Sequence, residues 1–252
     1  MAEPVLRVAG LSKHFGGLAA VSEVSLTLAT GEVQAVIGPN GAGKTTLVNL
    51  LSGDLRPSGG RVELEGRDIT GMAPDRIARL GIGRSYQKTN IFPDVTAFEN
   101  CRLAAQARHA PGISLLRPAR RHAVLNEAAE RALASVDLLA RRGAIASALS
   151  HGEQRQLEIA MTLATGPRVL LLDEPLAGMG AEESRRMVDL IRRLGESHAV
   201  LLVEHDMDAV FSMAQILTVM VSGRVLASGA PAAIRANEAV QEAYLGTAEA
   251  AA

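Results

Sequence analysis

Residues 38–45 read Gly-Pro-Asn-Gly-Ala-Gly-Lys-Thr, a pattern of residue types that can hold a phosphate chain. Glycines allow backbone N–H groups to approach an anion closely, and a helix that starts directly after them adds its positive end. Lys44 is expected to reach the β- and γ-phosphates, and Thr45 to offer its hydroxyl to Mg²⁺. The candidate nucleotide-binding residues here are Gly38, Pro39, Asn40, Gly41, Ala42, Gly43, Lys44, Thr45 and Thr46.

Two acidic residues, Asp173 and Glu174, follow the apolar run Leu170–Leu172. A carboxylate at the end of a buried strand is the usual second half of a nucleotide-hydrolysing site. Asp173 is expected to hold Mg²⁺, usually through water, and Glu174 to polarise the attacking water. The alternative is a solvated strand end that caps the next helix.

Gln87 and His205 are further candidates for the same site. The amide of Gln87 could ligate Mg²⁺ or position water, or it could belong to an ordinary polar loop. His205 follows the apolar run Ala199–Val203. Ligands bind outside the carboxyl ends of strands in open α/β sheets, so this imidazole could contact the γ-phosphate. A purely structural histidine is the alternative.

The stretch Leu149–Arg155 reads Leu-Ser-His-Gly-Glu-Gln-Arg. Ser150 and Glu153 form an S-x-x-E capping box ahead of a helix predicted over Gln154–Ala164. The exposed N-terminus of such a helix is also an anion site. His151 lies at the first helical position, where its backbone would meet the anion and its ring would point aside, so we expect no catalytic role for that ring.

The remaining patterns predict the elements that position these residues. Strand-like and helix-like segments alternate in the first and last thirds, and a helical segment opened by a capping box at Thr96–Glu99 lies between them. The predicted strands are Val5–Val8, Val24–Leu28, Val33–Ile37, Arg61–Leu64, Val169–Leu172 and Ala199–Val203, followed by a hairpin of Ile216–Val221 and Arg224–Ala227. The predicted helices begin at Gly43, near Glu182 and at Ala230. The pattern indicates an α/β core interrupted by a helical subdomain.

Composition narrows the class of protein. The 252 residues carry a net charge of −1 and include four Phe, two Tyr and no Trp, which argues against a nucleic-acid-binding surface. The single cysteine, Cys101, excludes an internal disulfide and is expected to be a small buried apolar residue. The sequence shows neither a signal peptide nor an apolar run long enough to span a bilayer.

The order of these motifs resembles that of the ATP-binding subunit of ABC transporters, and the resemblance covers almost the whole chain. The motifs that carry it are Gly38–Thr45, Gln87, Leu149–Gln154, Leu170–Glu174 and His205. The resemblance implies a P-loop NTPase core with an N-terminal antiparallel β-subdomain and an inserted α-helical subdomain. The core is expected at residues 1–90 and 165–229, the helical subdomain at 91–164 and a C-terminal helical tail at 230–252 of one ABC ATPase domain.

The resemblance also implies roles. Gln87 is similar to the Q-loop residue, Leu149–Gln154 to the signature and His205 to the switch histidine. Phe15 is similar to the family's adenine-stacking aromatic, with a buried strand-edge Phe as the alternative. In this family two subunits bury two ATP molecules with Mg²⁺, and each site takes its signature from the opposite subunit. The signature residues expected to contact ATP are Ser150, Gly152, Glu153 and Gln154.

Shorter motifs, among them Gly81–Gln87, Gln156–Ala160 and Glu242–Gly246, resemble the branched-chain amino acid importers. Alternatives are an ATPase for urea or amides, one for lipopolysaccharide export, and a soluble ABC-type ATPase that acts on nucleic acid or ribosomes. The implied partners are a second ATPase subunit (the same chain or a paralogue), transmembrane permeases and, indirectly, a solute-binding protein. No nucleic-acid partner is expected, and the location would be the cytoplasmic face of the membrane. The sequence departs from the wider family at His151 and at Gly180, where Gly and Asp are usual.

Overall fold

The computed structural model describes residues 3–86, 90–109 and 122–249. Its strands are β1 (Pro4–Phe15), β2 (Leu18–Ala29), β3 (Val33–Ile37), β4 (Gly59–Leu64), β5 (Arg67–Asp68), β6 (Ile82–Ser85), β7 (Val169–Asp173), β8 (Ala199–Val203), β9 (Ile216–Val221) and β10 (Arg224–Gly229). Its α-helices are α1 (Lys44–Ser52), α2 (Pro74–Leu80), α3 (Ala97–His109), α4 (Ala123–Ser135), α5 (His151–Ala164), α6 (Ala181–Gly195), α7 (Met207–Met213), α8 (Pro231–Arg235) and α9 (Glu238–Glu249). No helix in these ranges combines the length and hydropathy of a membrane span.

The strands form two sheets. The first is antiparallel with the order β2-β1-β4-β5, and the second has the order β10-β9-β3-β8-β7-β6. In the second sheet β3, β6, β7, β8 and β9 run parallel, and only β10 is antiparallel to its neighbour. The carboxyl ends of β3, β7 and β8 therefore lie side by side at one edge of the sheet. The loop of residues 38–43 (the phosphate loop) follows β3, Asp173 ends β7, and His205 comes two residues after β8. The predicted α/β core with an antiparallel N-terminal sheet is confirmed.

Strands β7 and β8 are buried on both faces, which explains the unbroken apolar runs Val169–Leu172 and Ala199–Val203. Leu170 and Leu172 of β7 pack into one core with α3 to α6. Val169 and Leu171 pack into the other core with α1 and the antiparallel sheet. Cys101 lies in the first core with no exposed surface, and burial raises the pKa of its thiol to about 12. The prediction of a buried apolar cysteine is confirmed.

Four short elements, α2, α7, β5 and β6, were not predicted from the sequence, because seven or fewer residues carry little periodic signal. β6 also contains Gly83, where a Cβ would lie 2.5 Å from Cγ2 of Thr162 on α5. Of the capping box predicted at Thr96, one half is observed. Thr96 Oγ1 accepts the N–H of Glu99 at 3.1 Å, whereas the Glu99 carboxylate pairs with Arg102.

Candidate nucleotide-binding site

The loop between β3 and α1 has a backbone that only glycine fits at two positions. Gly38 has a φ of 152°, and a Cβ there would lie 2.1 Å from the carbonyl oxygen of Met220. Gly43, the N-cap of α1, has a φ of 97°, and its Cβ would lie 2.3 Å from the carbonyl oxygen of Ala20. These glycines let the loop turn tightly at the sheet edge. Such a turn brings backbone N–H groups close to the N-terminus of α1, where an anion can bind.

This loop forms one wall of an open cavity of about 560 Å³. The cavity is lined by Asn40 to Thr46, by Phe15 and by Glu174. Phe15 ends β1 and is 48% exposed, so the alternative of a buried strand-edge Phe is wrong. Leu18, 67% exposed on the far side of the Gly16-Gly17 turn, also lines the cavity. Sequence reasoning missed Leu18, although two glycines directly after Phe15 indicate that the chain turns back there.

Lys44 folds back over the loop that precedes it. Its Nζ donates to the carbonyl oxygens of Gly38 at 2.7 Å and Pro39 at 3.0 Å. Burial lowers the pKa of Lys44, and the nearby carboxylates of Glu174 and Asp173 oppose that shift. Gly38 and Pro39 thus orient the ammonium group by their carbonyls, while Lys44 itself lines the cavity.

The two predicted carboxylates differ in environment. Asp173 is 2% exposed, and its Oδ2 lies 3.2 Å from Nη2 of Arg84. Burial raises the pKa of Asp173, and Arg84 opposes the rise. Glu174 lines the cavity and has a left-handed backbone with a φ of 49°, a conformation that costs a non-glycine residue about 1–2 kcal/mol. Helix α6 is capped by Gly180, so the alternative that these carboxylates cap the next helix is wrong.

The oxygen atoms near the loop suit a magnesium ion. Mg²⁺ prefers oxygen ligands and is usually held by one or two carboxylates together with the phosphates of its substrate. Thr45 is exposed and lines the cavity. Asp173 is the last residue of β7, which is separated from β3 by one strand. Gln87, the third predicted ligand, lies outside the described residues.

His205 follows β8 by two residues, at the same sheet edge as the loop and Asp173. Its side chain is 69% exposed and, among the described residues, is not part of the cavity wall. The backbone N–H of His205 donates to Oε2 of Glu204 at 3.1 Å. Glu204, which sequence reasoning did not single out, is 1% exposed and also accepts the N–H of Leu176 at 2.8 Å, so one carboxylate ties together the segments that follow β7 and β8.

The predicted capping box at Ser150 is confirmed. Ser150 Oγ accepts the N–H of Glu153 at 3.2 Å, and Glu153 Oε2 accepts the N–H of Ser150 at 2.9 Å. The helix begins at His151, the first helical position expected after the cap, so the predicted bound at Gln154 was three residues late. A Cβ built on Gly178 would lie 3.3 Å from Cε1 of His151, so the ring lies beside the loop that follows Glu174.

The capped end of α5 lies apart from the phosphate loop. Ser150, Gly152 and Glu153 line a second cavity together with Met179 and Glu183. Gln154 turns inward, where its Nε2 donates to the carbonyl oxygens of Ala146 and Leu149, both at 3.2 Å. The described chain therefore presents two half-sites, a phosphate loop with its carboxylates and an exposed helix N-terminus.

Comparisons with known proteins agree with this geometry. The family model described as "ABC transporter" matches residues 21–177, and a model described as "Branched-chain amino acid ATP-binding cassette transporter" matches residues 224–250. The chain is 42% identical over 256 residues to the high-affinity branched-chain amino acid transport ATP-binding protein LivG of Salmonella typhimurium, covering 98% of this chain and all of LivG. It is also 42% identical to BraF of Pseudomonas aeruginosa, a protein of the same description, with the same coverage over 258 residues.

A solved structure shares the fold over nearly the whole length. The chain superimposes on the ADP conformation of MJ1267, an ATP-binding cassette of an ABC transporter, with a TM-score of 0.85 and 29% identity. The match covers 97% of this chain and 100% of that one. The two half-sites thus belong to a fold that occurs in a nucleotide-bound state.

Proposed function

The chain belongs to the ATP-binding proteins of ABC transporters, and from this premise we propose that it powers an importer of branched-chain or related hydrophobic amino acids. ATP hydrolysis is the activity of the family. The choice of solute is supported by the similarity to LivG and BraF and by the match of residues 224–250. ATP is the cofactor, and Mg²⁺ is proposed with it.

One observation carries the assignment of the site: the phosphate loop, Phe15 and Glu174 line a single cavity. In the proposed arrangement Phe15 stacks on adenine, because an aromatic ring face suits a flat base. The N–H groups of the loop and Lys44 neutralise the phosphates. Glu174 faces the end of the phosphate chain and polarises the attacking water.

Magnesium would be held by Thr45, Asp173 and Gln87, and when bound it neutralises charge on the phosphates. His205 would contact the γ-phosphate from the end of β8. Burial raises the pKa of Asp173, and Arg84 beside it opposes that rise, so the ion pair with Arg84 supports the charged form that a cation would need.

The second half-site supports a composite arrangement. Ser150 and Glu153 line a different cavity from the phosphate loop of their own chain, so their anion would arrive with a second subunit. A two-fold pairing uses the same two patches twice and completes two sites at once. The partner is a second copy or a paralogous ATPase subunit, and ATP favours the closed pair through its higher affinity for that state.

The proposed complex also contains transmembrane permeases and a solute-binding protein, with this chain at the cytoplasmic face. The test is to coexpress the tagged chain with candidate permease subunits, reconstitute the complex in liposomes with a candidate solute-binding protein and measure ATP-driven uptake of labelled leucine. We expect uptake that requires the binding protein and is lost in Glu174→Gln. ATP-driven uptake of a different solute, without leucine transport, would overturn the proposed substrate.

A further inference from the structure

A buried ion pair on α5 lies behind the proposed catalytic centre. The side chains of Arg155 and Glu158 are 2% and 4% exposed, and Nη1 of Arg155 lies 2.6 Å from Oε2 of Glu158. The two residues are three positions apart, so they share the inward face of the helix. Sequence reasoning did not single them out, although opposite charges three residues apart were visible within the predicted helix.

The second arm of the Arg155 guanidinium reaches the end of β7. Its Nη2 donates to the carbonyl oxygens of Asp173 and Glu174, both at 3.0 Å. These two carbonyls flank the point where the backbone leaves the strand and Glu174 turns left-handed. A planar guanidinium can hold both acceptors in a fixed geometry, which a single ammonium group cannot do.

The same pair also holds the residue before Gln87. Tyr86 donates its N–H to Oε1 of Glu158 at 2.9 Å, and its carbonyl oxygen accepts from Nη1 of Arg155. Both backbone polar groups of Tyr86 are therefore held by side chains of α5. The helix that carries the Ser150 cap at its N-terminus thus contacts the backbone of Glu174 and that of Tyr86, the residue before Gln87.

We infer that Arg155, oriented by Glu158, is a positioning residue that fixes the backbone of Glu174 and of Tyr86 relative to α5. This inference rests on the proposed role of Glu174. Its consequence is a mechanical link between the two half-sites of one chain, because a displacement of α5 at Ser150 also displaces the carbonyls that Arg155 holds. A buried pair with only a structural role would contribute to folding and leave turnover unchanged.

The test compares two neutralised pairs in the full chain. Arg155→Met with Glu158→Gln removes both charges together, which avoids leaving one buried charge unpaired. The matched control is Arg102→Met with Glu99→Gln on α3, another pair at i and i+3, whose Nε and Oε2 are 2.9 Å apart. Arg155→Lys, which keeps the charge and loses the fork, is measured as well. Each variant is assayed for melting temperature, ATP affinity and kcat at saturating Mg-ATP.

We expect both Arg155 variants to bind ATP within about threefold of wild type and to lose at least about tenfold in kcat, because only the transition-state geometry is disturbed. The Arg102 control should keep kcat within about twofold. A normal kcat in both Arg155 variants, or a rate loss that only parallels lost ATP affinity, overturns the inference. Glu174→Gln separates the two proposals: a normal rate there overturns the role of Glu174 and this inference with it. A slow Glu174→Gln beside normal Arg155 variants overturns this inference alone.

Discussion

Ser150→Ala separates the two roles of one hydroxyl. In the folded chain Ser150 Oγ accepts the N–H of Glu153 at 3.2 Å, which caps α5. Loss of such a cap costs about 1 kcal/mol, and this lowers the melting temperature of a protein of this size by about 2–4 °C. The cap uses the hydroxyl as an acceptor, so its proton remains available to a phosphate oxygen of a nucleotide held by the second subunit. A hydrogen bond to a charged group contributes about 1.5–3 kcal/mol, so we expect kcat/KM for ATP to fall by about tenfold to a hundredfold.

Thr96→Ala is the matched control for Ser150→Ala. Thr96 Oγ1 caps α3 by accepting the N–H of Glu99 at 3.1 Å, and no phosphate role is proposed for it. Both variants should lose similar stability in thermal unfolding, whereas only Ser150→Ala should lose ATPase activity in a coupled assay at a temperature where both are folded. Equal ATPase rates in the two variants would show that Ser150 is only a cap and would refute the composite site at that residue.

Two further predictions concern His151 and Cys101. His151→Gly should keep most ATPase activity, because the ring lies beside Gly178 and only the backbone of residue 151 is proposed to meet the phosphate. A large, pH-dependent loss in a variant that still binds ATP would contradict this. Cys101 should not react with a thiol reagent at pH 8 until the protein unfolds, because it has no exposed surface and burial raises its pKa to about 12. Stoichiometric labelling of the folded protein would contradict that placement.

The sequence predicted most of the regular structure because the strong signals are local. The predicted strands Val33–Ile37 and Ala199–Val203, which are apolar except for Gln34, match β3 and β8 residue for residue. The S-x-x-E pattern at Ser150 gave the cap, because both of its hydrogen bonds lie within four residues. At Thr96 the same pattern was only half correct, since Arg102 competes for the Glu99 carboxylate.

The contacts that surround the candidate site could not be predicted, because they join distant parts of the chain. Arg84 pairs with Asp54 at 2.6 Å and with Asp173 at 3.2 Å, across 30 and 89 residues. The carbonyls held by Arg155 lie 18 and 19 residues away. The left-handed backbone of Glu174 likewise has no local signal, since glutamate rarely adopts it. The types of the candidate residues were therefore readable from the sequence, whereas the groups that orient them were not.

The measurement that tests the account most directly is ATP binding and hydrolysis by Glu174→Gln beside the wild-type chain. The account predicts that Mg-ATP binds to the variant with a dissociation constant within about threefold of wild type. It also predicts that hydrolysis of bound ATP slows by at least about a hundredfold, the range expected for loss of a group that activates water. Hydrolysis at the wild-type rate by the Glu174→Gln variant would contradict the assignment of this cavity as the catalytic site.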